Sequence, residues 1–187
     1  MSTAPSADLP SVDVEVRVAT PGDVDALAEV AAATFALACP PGMPAPSIEA
    51  FIADNLTAGR FAEYVADPGR AVLVAEQDGR AVGYAMLVHG EPYDADVRAV
   101  VRHRPTTELS KIYVLPASQG GAVARALLAA AVGLAREVGA AGMWLGTNQQ
   151  NTRAQRFYAK SGFDRIGTKR FWVGDHHEDD FVYELVL

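Results

Sequence analysis

The chain has 187 residues, half of them apolar and 21% charged, with a formal net charge of -7. Such a length supports one domain with a sizeable core, and the apolar and charged fractions are those of an ordinary globular protein. The negative balance excludes the basic footprint that non-specific nucleic-acid binding requires, and is compatible with a cationic substrate. Cys39 is the single cysteine, which excludes an intramolecular disulfide and a CxxC site and reads as a bystander thiol.

The opening MSTAPSADLP has neither the basic nor the apolar region of a secretory signal. Residues 1–13 read as a flexible leader, and residues 14–187 as one domain. The longest Ala-rich stretch, 122–135, carries Arg125 and is too short to span a bilayer. A cytoplasmic location is the expectation.

Val14, Val16 and Val18 alternate with charged residues, the period of a strand. Thr20, Pro21 and Asp23 then form a helix start, and that helix should run to about Phe35. The Pro-rich segment 39–44 interrupts regular structure. Ser47 can cap a second helix to about Leu56, with a short third helix over 59–65. Strands 71–76 and 81–88 flank Asp78-Gly79, a strong hairpin signal. Residues 89–104 read as an irregular loop.

A strand at 106–115, a helix at 120–138 and a strand at 143–147 follow. A helix from Asn151 or Thr152 to about Ser161 comes next, stopped by Gly162. Two closing strands, 163–173 and 180–187, flank a polar turn. This order predicts an α/β fold: a mixed, mostly antiparallel sheet with helices on both faces.

Residues 109–128, LSKIYVLPASQGGAVARALL, carry the most chemistry. An apolar strand stops at Pro116, a glycine turn follows, and a helix begins. That arrangement aims backbone N–H groups and a helix N-terminus at a phosphate. The Rossmann alternative fits poorly. Its Gly-x-Gly-x-x-Gly is absent, and no acidic residue ends strand 143–147.

Gln119-Gly120-Gly121-Ala122-Val123-Ala124 is similar to the pyrophosphate loop of the GNAT acetyltransferase superfamily, (Gln/Arg)-x-x-Gly-x-(Gly/Ala). Residues 151–163, NTRAQRFYAKSGF, resemble that family's Asn-x-x-Ala-x-x-Phe-Tyr-x-x-x-Gly-Phe. The resemblance covers nearly everything from Val14 onward. It implies a single GNAT-like domain with a splayed strand pair, and acetyl-CoA as co-substrate with no metal. One departure is Ala122, where the family usually has glycine; the extra methyl should reduce room at the phosphate or demand a negative φ.

Carried over residue by residue, the resemblance assigns the pantetheine-pairing backbone to Ile112, Tyr113 and Val114. It assigns the pyrophosphate contacts to Gln119 through Ala124, with Asn151 and Ala154 beside the cofactor. Asn151 reads equally as a helix cap. Tyr158 becomes the acid that protonates the departing thiolate, since a phenol is protonated at neutral pH. Glu108 matches a catalytic glutamate of some members and is the candidate base; a solvated strand-end carboxylate is its other reading. In a regular strand Glu108, Ser110 and Ile112 share a face, and a bulge would re-aim part of it.

The acceptor should be bound by helices within 33–56, the 89–104 loop and the last hairpin, with Phe35, Phe51, Tyr93, Tyr113 and Trp172 as wall residues. His176-His177-Glu178-Asp179-Asp180 reads as a solvated turn rather than a zinc site, and His89 and His103 show no evident partner. The C-terminal pattern (Gly162-Phe163, Gly167, Phe171, Val173, Gly174-Asp175) looks like members that acetylate polyamines. The expected reaction is transfer of acetyl to a small primary amine by direct attack. A protein or peptide N-terminus, or a non-catalytic acyl-CoA-binding module, are the alternatives. No membrane partner is expected, and the dimers common among such proteins make a homodimer one expected state.

Overall fold

The computed structural model describes residues 13–118, 121–173 and 176–187. The expected leader, apart from Asp13, lies outside the described residues, as do Gln119, Gly120, Gly174 and Asp175. Among the described residues, strands β1 (Glu15–Val18), β2 (Arg70–Gln77), β3 (Arg80–His89), β4 (Thr106–Val114), β5 (Gly142–Asn148), β6 (Asp164–Val173) and β7 (His176–Val186) form one sheet. Its order is β1-β2-β3-β4-β5-β7-β6. Every neighbouring pair is antiparallel except β4 and β5.

Helices α1 (Val24–Ala38), α2 (Ala45–Asn55) and α3 (Ala58–Ala66) cover one face, while α5 (Ala122–Glu137) and α6 (Thr152–Lys160) cover the other. The buried side of α5 is Val123, Leu127, Leu128, Ala131 and Ala135, a helical stripe packed on β2–β5. Full burial of each Val or Leu there contributes about 1.5–3 kcal/mol. On the opposite face, Leu27, Phe35, Phe61 and Tyr84 anchor the second core. The β2–β3 turn has positive φ at Asp78 (51°) and Gly79 (72°), as a two-residue hairpin demands.

Local chemistry explains the ends of these elements. Asp23 accepts from the Thr20 N–H (2.7 Å) and hydroxyl (2.8 Å), and pairs with Arg17 at 2.7 Å. Asn151 Oδ1 accepts from the Ala154 N–H at 3.0 Å, capping α6.

Three sequence expectations are corrected. The 89–104 segment contains a helix, α4 (Ala95–Val100), capped by Asp94 Oδ1, which accepts from Asp96 N–H at 2.8 Å. Val97 and Val101 bury against Trp144 and Val182, so a polar stretch gains order from two apolar anchors. The reading of His89 and His103 as lacking an evident partner also changes: His89 Nδ1 lies 3.0 Å from Thr107 Oγ1, and His103 Nδ1 lies 3.1 Å from Glu184 Oε2. Finally, β7 begins at His176 and not near Asp180. The 177–180 run belongs to a strand because one of its faces lines a polar cleft rather than the core.

Glu184 locks α4 to the sheet. It is 4% exposed, and its Oε1 accepts from the N–H groups of Arg102 and His103, each at 2.9 Å. A buried carboxylate with two backbone donors is well satisfied.

Candidate active site

The site begins where two strands part. β4 and β5 pair only at Thr106–Gly142, Thr107–Met143 and Glu108–Trp144, and beyond that point they diverge. A cleft of about 450 Å³ passes through the gap. Its walls are β4, the starts of α5 and α6, the ends of α1 and β5, and the β6–β7 hairpin. On the gap side, β4 residues 110–113 have no strand partner, so their peptide groups can pair with an extended ligand as a neighbouring strand would.

A bulge sets which side chains face which half. β3 steps from Met86 to Leu87 while β4 steps from Lys111 to Leu109, leaving Ser110 as the extra residue. Ile112 and Val114 pack toward α5, and so does Leu109. Tyr113 packs toward α1, and Lys111 Nζ lies 5.5 Å from the Phe51 ring centroid. By alternation from Leu109, Glu108 falls on the α1 side with Lys111 and Tyr113, not with Ile112.

The α5–α6 half holds Gly121, Ala124 and Tyr158. Gly121 stands immediately before α5 with φ +84°, a conformation open to glycine and strained for other residues. The left-handed turn is therefore taken by Gly121. Ala122, where the family has glycine, is the exposed first residue of α5 in ordinary helical conformation, so its methyl demands no special backbone. Neither Ala122 nor Val123 is among the cleft-lining residues; Val123 is buried in the core and offers a ligand only its backbone.

Ile112, Tyr113, Val114, Gly121, Ala124, Asn151, Ala154, Tyr158 and Glu108 all line the cleft. Asn151 both caps α6 and reaches the wall, so its two readings are compatible. Tyr158 is 8% exposed and packed edge-on against Phe157 (5.3 Å) and Phe163 (5.7 Å). Burial holds its phenol above the ordinary range, so it stays protonated.

The α1-side half is more polar than the sequence suggested. Glu108, Lys111, Lys169, Glu178 and Asp180 line it together with Phe35 and Phe171. Burial raises Glu108 above the usual carboxylate value against the opposing pull of Lys169, Lys111 and Arg70. Burial also lowers Lys111 to about 8 and raises Asp180 to about 6. Cys39 lines the same wall, its thiol pushed by burial to about 11. A thiol so protonated is a poor nucleophile.

Of the expected wall residues, Phe35 and Tyr113 line the cleft, and Phe51 stacks behind Phe35 at 4.4 Å. Tyr93 is 99% exposed and Trp172 56% exposed. Neither is a wall residue, because α4 packs on the far end of the sheet and Trp172 sits beside the His177 ring. No residue of 89–104 contributes to the lining. The residues missed from sequence are Lys111, Lys169, Phe171, Glu178 and Asp180. Glu178 and Asp180 were signalled only by their alternation, Phe171 by its place in the C-terminal pattern, and Lys111 and Lys169 by nothing local.

Among the described residues no three His, Cys, Asp or Glu side chains converge as a metal set, and no helix is long and apolar enough to cross a membrane.

A parted parallel strand pair, a glycine-opened helix N-terminus and a buried tyrosine meet in one cleft, an arrangement with room for an extended ligand that carries a phosphate. The family model for the GNAT acetyltransferases matches residues 35–163. An uncharacterized N-acetyltransferase of Mycobacterium tuberculosis is 51% identical over 160 residues, covering 86% of this chain and 95% of the relative. Another, from Lactobacillus delbrueckii subsp. lactis, is 25% identical over 73% of this chain and 76% of its own. The fold is shared with the PaiA N-acetyltransferase of Thermoplasma acidophilum in complex with coenzyme A. That similarity has a TM-score of 0.75 at 21% identity, over 94% of this chain and 99% of the other. The ribosomal-protein-alanine N-acetyltransferase of Brucella melitensis has a TM-score of 0.65 at 24% identity, over 92% and 99%. The chain belongs to the GNAT acetyltransferase family. It is an N-acetyltransferase that uses acetyl-CoA as co-substrate.

Proposed function

We propose that this enzyme acetylates a primary amine of a small molecule, with Glu108 as base and Tyr158 as acid. The observation that carries the reading is that one cleft brings the two residues to opposite halves of a gap in the sheet. The residues present fit the co-substrate. The unpaired edge of β4 suits the pantetheine arm, and the α5 N-terminus behind Gly121 suits the pyrophosphate. Gln119 and Gly120 complete that loop in the proposal.

Acetyl-CoA supplies an activated acyl carbon. Glu108 accepts the proton that the acceptor ammonium must lose before its nitrogen can attack. As the N–C bond forms and the C–S bond breaks, the nitrogen gives up its second proton to water, and Tyr158 donates its hydroxyl proton to the leaving sulfur and is reprotonated from solvent. The β4 bulge and the Phe35 wall hold the acceptor nitrogen in line, so positioning supplies much of the acceleration. Attack is direct; the protonated Cys39 thiol offers no acyl-enzyme route.

Support for a small acceptor comes from the polyamine-type C-terminal pattern, and Pro40, Met43 and the β6–β7 hairpin bound the α1-side half. The test follows free thiol release from acetyl-CoA over an amine panel. Tyr158→Phe should lower turnover by about 10²-fold or more with coenzyme A affinity retained. Glu108→Gln should remove the acid limb of the pH–rate profile, a limb displaced upward by the burial of that carboxyl. Full turnover in the first variant, or an unchanged profile in the second, refutes the assignment concerned.

A further inference from the structure

Four charged side chains in the α1-side half lie near enough to feel one another, yet none closes into a direct pair among the described residues. Lys111 Nζ sits 5.5 Å from the Phe51 ring centroid. Lys169 Nζ sits 5.5 Å from that of Trp144 and 5.9 Å from that of Phe171. Aromatic faces fix an ammonium by its charge while leaving its three N–H donors unspent. Among the described residues neither lysine makes a hydrogen bond or an ion pair, and the same holds for Glu108 and Asp180. Asp180 is only 6% exposed, and what exposure it has faces the cleft.

The backbone is shaped around this arrangement. A Cβ on Gly146 would stand 2.7 Å from Lys169 Cε and 3.2 Å from Asp180 Oδ2. Glycine at this position leaves room for Lys169 to lie beside β5, and a side chain there would displace the end of that lysine. Lys169 and Asp180 are cross-strand partners in β6 and β7, yet they do not close into an ion pair. Charged side chains that line a cleft without a hydrogen bond or ion pair among the described residues keep their donors and acceptors for a ligand.

Resting on the amine-acceptor reading above, we propose that the acceptor carries an anionic group beside its amine, as an amino acid or an amino phosphate does, and that Lys111 and Lys169 bind that anion. Glu108 and Asp180 receive the ammonium end.

The test measures thiol release by the full-length protein with matched acceptors. β-Alanine and several α- and ω-amino acids are set against the corresponding amines without carboxylate, and phosphoethanolamine is set against ethanolamine. The anion-bearing member of a pair should have the greater kcat/KM by about tenfold or more, and the pair that shows this distinguishes carboxylate from phosphate. Lys169→Gln and Lys111→Gln should each shrink that ratio toward one, chiefly by raising KM for the anionic member. Equal or better use of the plain amines overturns this inference and leaves the amine-acceptor reading standing. A preference that survives both substitutions also overturns it. No release with any acceptor overturns both.

Discussion

Replacing Asp180 with asparagine should make the protein more stable at neutral pH while slowing acetyl transfer. The carboxyl is buried and, among the described residues, makes no hydrogen bond or ion pair; burial raises it from 3.8 to about 6, with Lys169 opposing and Glu178 and Asp179 adding. The folded protein therefore holds this proton more tightly than the unfolded chain does. The stability linked to Asp180 is fully present below pH 3.8 and is lost as the pH rises through about 6. At 1.36 kcal/mol per pH unit, the full gap costs about 3 kcal/mol near pH 8. Water reaching the cleft-facing oxygens should cut the realised value to about 1–2 kcal/mol. Asparagine keeps the shape and removes the charge, so it should recover that amount and raise Tm by several degrees, at about 2–4 °C per kcal/mol. Urea unfolding of both proteins at pH 4, 6 and 8 reads the effect. The variant's advantage should be near zero at pH 4 and largest at pH 8, while kcat/KM for the amine falls about tenfold or more. A variant no more stable than the parent at pH 8, or an advantage that ignores pH, would refute the reasoning. The opposition of the two effects is what a site built for a ligand predicts.

Two further outcomes are expected. Glu184→Leu strands the N–H groups of Arg102 and His103, bonded at 2.9 Å each, and should cost about 2–4 kcal/mol in urea unfolding. Glu184→Gln keeps an acceptor oxygen and should cost less than half as much; equal losses would show that packing, not these bonds, holds α4. Gly121→Ala forces a Cβ into φ +84° with Arg125 Nη1 at 2.8 Å, adding about 1–2 kcal/mol of backbone strain. Calorimetry should then show coenzyme A bound about tenfold more weakly, whereas Ala122→Gly should change affinity less than about threefold. Unchanged binding by Gly121→Ala would move the phosphate contacts elsewhere.

Much of the fold is legible in the chain because its signals are local. Alternating valines mark β1, Asp78-Gly79 marks the β2–β3 hairpin, and Asn151 marks the start of α6. Each of these depends on residues within a turn or two of one another. The short helix α4 was missed for the opposite reason. Its polar surface hides two valines whose partners, Trp144 and Val182, lie more than forty residues away. The start of β7 was missed because the charges at 177–180 suit a turn in isolation and suit a strand only beside a wet cleft.

The candidate site divides along the same line. The glycine turn, the strand before it and the Asn-to-Tyr helix motif are written in consecutive residues, so sequence alone determined a glycine turn ahead of α5 and a tyrosine two helical turns after a cap. It could not determine which way Glu108 points. That depends on Ser110 being extruded against β3, a register that arises only when the strands pair. Nor could it bring Lys111, Lys169 and Asp180 together, since three strands contribute them and the parting of β4 from β5 opens the space between. Periodicity and capping act through neighbouring backbone and are set by the chain itself. Face, register and the meeting of distant charges are set by sheet pairing, and only the folded molecule decides them.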